Sequence, residues 1–143
     1  HEYTDAYEAM PSNSILFVSS GQSLADLIPR LGTETPANHL GSLAMIERGV
    51  FVPAIFAHPS QQPISVKNRF KAIKDFQGNW ATTIQTEQEL ATTVAKIRDL
   101  SRNECQRGKS IFLLLQDSAI ATPAQATIVA DGSRFRLLQI QSC

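Results

Sequence analysis

Ser19, Ser20, Gly21 and Ser23 lie within the segment F-V-S-S-G-Q-S, between an apolar run and a stretch with helical spacing. Small polar side chains and a glycine at a strand-to-helix turn offer backbone N–H groups and the positive end of a helix dipole. In open α/β sheets this arrangement receives anions. Neither the glycine and lysine pattern of a P-loop nor G-x-G-x-x-G is present, so the chemistry implied is general anion binding, and an ordinary turn capped by Ser23 accounts for the same residues. Asp117 follows a second apolar run directly. It joins Ser19 and Ser20 in one polar crevice only if the two runs are strands pointing the same way.

Other constellations are excluded by spacing. His1, His39 and His58 stand far apart, and none pairs with a second ligand three or four residues away, so no metal is expected. No G-x-S-x-G elbow marks a nucleophile, and Cys105 and Cys143 do not form a C-x-x-C redox pair. Glu87 and Glu89 resemble an E-x-E carboxylate pair, but they open a helix behind Thr86, and capping explains both. No catalytic residue and no cofactor is assigned. Lys67, Lys71 and Lys74 form a basic stripe along one helix, with Arg134 and Arg136 a second positive pair. Such a patch docks an acidic partner or simply faces solvent.

The two cysteines permit one bridge across nearly forty residues, worth about 4 kcal/mol by chain entropy. A bridge implies an oxidising compartment. The first residue is His1, read here as processing, truncation or a tag remnant, and no apolar signal segment is present. With low charge, few lysines and abundant Gln, Ser and Thr, the composition points to a periplasmic or extracellular location. No N-x-[ST] acceptor is present.

Thirteen basic and thirteen acidic residues cancel, which removes the whole-molecule field that nucleic acid or an anionic membrane would require. No apolar run approaches the roughly 20 residues of a membrane span. At 143 residues, with 43% hydrophobic and 18% charged, the chain is sized for one globular core.

The elements that must position these residues alternate in type. ILFVSS, residues 15–20, reads as a strand covered on both faces, and residues 23–31 as the helix after it. VFVPAIFA, residues 50–57, reads as a strand held at an edge or bend by Pro53. Val66, Phe70, Ile73 and Phe76 trace an amphipathic helix, and a capping box at Thr86 and Glu89 opens the most regular one, residues 87–100. SIFLLLQ, residues 110–116, reads as a central strand. ATIVA and RFRLLQI flank Asp131-Gly132 as a hairpin.

The last arm breaks strict alternation. Phe135 and Leu137 share one face while Leu138 and Ile140 share the other, which predicts a bulge near Leu137 and Leu138 or a strand passing between environments. A plain meander of the last three strands would also leave Cys143 about 20 Å from the start of the first, against the ~7 Å a bridge allows. Bridging therefore demands a folded-back loop or a non-sequential strand order.

The expected architecture is α/β or α+β: a single three-layer-like domain over residues 1–143, with a mixed sheet of four to six strands and a C-terminal β-hairpin. The expected function is a non-enzymatic protein-interaction or assembly domain outside the cytoplasm, in bacterial cell-envelope machinery, with another protein as partner. The alternative is a small α/β enzyme or anionic-ligand-binding domain using Ser19, Ser20, Gly21, Ser23 and Asp117.

Overall fold

The computed structural model describes residues 8–20, 50, 71–77, 84–116, 120–132 and 135–143. Strand β1 (Ile15–Ser20) follows a tight turn in which the Ser14 hydroxyl donates to the Pro11 carbonyl at 2.6 Å. Asn13 takes φ 66° there, a left-handed conformation that asparagine tolerates better than most residues. Helix α1 (Lys71–Gln77) and helix α2 (Glu87–Gln106) precede β2 (Ile111–Gln116), β3 (Ala126–Asp131) and β4 (Phe135–Ile140).

The start of α2 follows the sequence signal. The Thr86 hydroxyl oxygen accepts from the Glu89 backbone N–H at 3.1 Å, and the hydroxyl donates to the Glu89 carboxylate at 3.2 Å. Its end does not: the helix runs past residue 100 to Gln106. The buried face continues through Ser101 and Glu104, polar residues that interrupt the apolar pattern without interrupting the helix. Termination comes at Gly108, whose φ of 91° lets its N–H reach the Cys105 carbonyl at 2.9 Å while Lys109 N–H reaches Glu104 at 3.1 Å. These are the two closing bonds of a Schellman motif.

Among the described residues, four strands form one mixed sheet in the order β1-β2-β4-β3. β1 pairs parallel with β2, while β4 runs antiparallel to both β2 and β3, which makes this an α+β arrangement. Ile15, Phe17, Ile111, Leu113, Leu138 and Ile140 share a core with Ile73 of α1 and Leu90, Val94 and Ile97 of α2. The Phe76 ring meets Phe17 edge-on, centroids 6.1 Å apart. Side chains alternate along a strand, so Leu16, Phe112, Leu114 and Leu137, all buried as well, lie on the opposite face. The apolar runs read as doubly covered strands are doubly covered. At roughly 2 kcal/mol or more for each fully buried aliphatic or aromatic side chain, this packing is the main favourable term.

β2 lies inside the sheet as expected, whereas β1 ends the strand order among the described residues. The hairpin is present with two corrections. Asp131 belongs to β3 and pairs with Arg136, so the connection is longer than an Asp131-Gly132 turn. The irregularity predicted near Leu137 and Leu138 falls on the facing strand, between Ile128 and Ala130, and leaves Val129 as the extra residue. β4 needs no bulge of its own because it is an interior strand buried on both faces, with Leu137 and Leu138 each fully covered.

The strand order also places the cysteines. Because β4 rather than β3 lies beside β2, Ile140 pairs with Ile111, and residues 141–143 return to the side of the sheet where α2 delivers Cys105. Cys105 and Cys143 are bridged, with Cα atoms 5.8 Å apart across 38 residues of sequence. Among the described residues no helix is long and apolar enough to cross a membrane. Of residues 50–57 only Val50, which is buried, is described. The expected helix 23–31 lies outside the described residues.

Candidate functional site

The pairing register gathers the charged residues of the described strands at one end of the sheet. At the amino ends of β1 and β2, the row across the sheet is Ile15, Ile111, Ile140 and Ala126. At their carboxyl ends the rows are Ser19, Leu115, Arg136 and Asp131, then Ser20, Gln116 and Phe135. The row next to the first holds Leu16, Phe112, Gln139 and Thr127, so the parallel pair ends where the described strands carry their charged residues, Arg136 and Asp131, together with Ser19, Ser20 and Gln116. In open α/β sheets this is the end at which ligands gather.

Ser19 and Ser20 close β1, and Ser20 pairs with Gln116, the chain neighbour of Asp117. Gly21, Ser23 and Asp117 lie outside the described residues, as do His1, His39, His58, Lys67 and Arg134. Of the basic stripe, Lys71 is exposed at the start of α1 and Lys74 lies within that helix. Glu87 and Glu89 are exposed in the first turn of α2, where Glu89 engages Thr86. Among the described residues no group of three or more His, Cys, Asp or Glu side chains could hold a metal ion.

Arg136 was read from the sequence as half of a surface-charge pair with Arg134. In the fold it is largely buried at the polar end of the sheet. Its Nη1 donates to the Ile120 carbonyl at 2.7 Å, and its Nε lies 3.8 Å from the Asp131 carboxylate. It is the one cation within the described strands. Sequence reasoning missed this placement because it depends on β4 inserting beside β2, which brings the start of β4 to the carboxyl end of β2.

A second feature lies at the far side. β3 pairs only with β4, so no strand among the described residues covers its outer edge. Its burial alternates poorly, and Ile128 is 44% exposed, the one large hydrophobic residue so exposed among the described residues. No lysine or proline guards the strand itself, although the bulge at Val129 twists its second half. No family model, no curated protein and no solved structure matches this chain, so its two candidate surfaces rest on their own geometry.

Proposed function

We propose that the chain is a non-enzymatic protein-interaction or assembly domain acting outside the cytoplasm, in bacterial cell-envelope machinery, and that it receives an extended strand of another protein along β3. The observation that carries this reading is the outer edge of β3, which no strand among the described residues covers, with Ile128 exposed on that strand. Strand addition uses such an edge: unpaired backbone groups supply affinity, and a protruding apolar side chain supplies register. The Cys105–Cys143 bridge supports the compartment, since lone structural disulfides persist where thiols are not kept reduced.

The test is site-specific photo-crosslinking in the oxidising compartment, with the crosslinker at Ile128 and, as control, at exposed Lys96 on α2. Capture of one discrete partner at Ile128 and not at Lys96 is the expected result. Equal capture at both positions, or none at Ile128, sinks the reading.

The register at the carboxyl ends of β1 and β2 favours a second reading, an anionic-ligand-binding or small enzymatic site built on Ser19, Ser20, Gly21, Ser23 and Asp117. Titration with inorganic phosphate, followed by amide chemical shifts, separates the two. Shifts confined to Ser19, Ser20 and Gln116 support the ligand site, and unmoved amides at all three remove it.

A further inference from the structure

The carboxyl-terminal residues are fastened to α2 at two points. The Arg98 Nε–H donates to the Gln141 carbonyl at 2.6 Å, and Cys105 is bonded to Cys143. Ser101 lies on α2 between these two attachments, three residues after Arg98 and four before Cys105, positions that share a helix face. Ser142 lies between Gln141 and Cys143. Both serines are buried, and neither hydroxyl has a hydrogen-bond partner. Each attachment thus has beside it a buried hydroxyl that no group among the described residues partners, which makes packing a weak hold there.

The same segment holds β3 in place. Gln141 N–H donates to the Gln125 carbonyl at 3.1 Å and so continues the β3–β4 ladder one residue beyond Ala126 and Ile140. β3 has no other strand neighbour among the described residues, and its ladder is already interrupted at Val129. Beyond the end of β4 itself, loosening of residues 141–143 removes a bond to β3, the Gln141–Gln125 link.

We infer that the Cys105–Cys143 bond is a redox-sensitive clasp whose opening loosens the start of β3 while the β1–β2 core stays folded. Cys143 is exposed and Cys105 half-buried, so a reductant approaches from the Cys143 side. The chemistry is thiol–disulfide exchange with a dithiol reductant: the S–S bond breaks, each cysteine sulfur takes up a proton, and the dithiol supplies both electrons and becomes a disulfide. Thermodynamics then favours water entering the seam at Ser101 and Ser142. The consequence for docking rests on the reading of β3 as the partner-binding edge, but the clasp does not.

Amide hydrogen exchange on the whole chain tests it without any partner, comparing the oxidised protein, the protein held in excess dithiothreitol, and the variant Cys143→Ser. Exchange is followed across low urea concentrations, which separates local opening from global unfolding. Losing the bond lowers global stability, so Leu113 and Phe17 lose protection but keep the urea dependence of global unfolding. The expected result is that Gln141, Ala126 and the last turns of α2 fall roughly tenfold or more below them and exchange with little urea dependence. Unchanged protection at Gln141 and Ala126 overturns the inference. So does one urea-dependent exchange free energy shared by Gln141, Ala126, Leu113 and Phe17, which would make the bond a global staple. Failure of crosslinking at Ile128 with this exchange pattern intact would discard the docking edge and keep the clasp.

Discussion

β2 and β3 are both six residues long and both pair with β4, yet they are held by different means. β2 is IFLLLQ, and its residues from Ile111 to Leu115 are all buried, with a strand on either side and apolar contacts on either face. β3 is ATIVAD; only Ala126 is buried, and one neighbour carries it through a bulged ladder. Around β3 the chain adds tethers: the Gln141–Gln125 backbone bond, the Arg136 side chain reaching both Ile120 and Asp131, and the disulfide just beyond β4. An interior strand is stable because water is excluded from it. An edge strand is kept in place by specific bonds, and so can be released by breaking them.

The sharpest way to break this comparison is to remove the covalent tether. Cys143→Ser should lower unfolding free energy by about 4 kcal/mol, from the entropy returned to a 38-residue loop, and leave a folded domain. Urea titration of oxidised protein and variant reads it. Leu113→Ala, at the centre of the packed region, should cost about 3 kcal/mol. It should weaken amide protection in β1, β2 and α2 alike, because its neighbours come from both layers, without the local opening at Gln141 and Ala126 that the cysteine change adds.

Gly108→Ala should cost about 1 kcal/mol, measured by thermal unfolding. No atom lies within 4 Å of the added Cβ, so the penalty is the left-handed φ alone. Ile128→Thr should change stability by less than about 0.5 kcal/mol, because so much of the side chain is already in water. A loss of 2 kcal/mol or more there would mean that β3 is packed like β2 and that the contrast between them is wrong.

Strand identity and helix starts were legible wherever local chemistry repeated a rule: ILFVSS and SIFLLLQ as doubly covered strands, Thr86 with Glu89 as a cap, and two arms around Asp131-Gly132 as a hairpin. Legibility stopped where a residue's role depended on a distant neighbour. Ser101 and Glu104 are polar and hid the last turns of α2, although Gly108 was a stop signal in plain view. Leu137 and Leu138 suggested a bulge in β4 because alternation was judged against one covered face, and β4 has two. Of the candidate site, the residue types at the end of β1 were visible, but their alignment with Gln116 and their proximity to Arg136 were not.

By itself, then, the sequence determined which segments are apolar enough to be buried, where α2 begins, and that two cysteines were available to pair. The tertiary structure alone decided that β4 lies between β2 and β3. That single choice brings Cys143 to Cys105, places Arg136 at the carboxyl end of β2, and puts β3 last in the order of the described strands. The physical reason is range: hydrophobic periodicity and capping act over a few residues, whereas strand order is settled by which pairing buries both faces of the most apolar strands, a comparison among segments far apart in the chain.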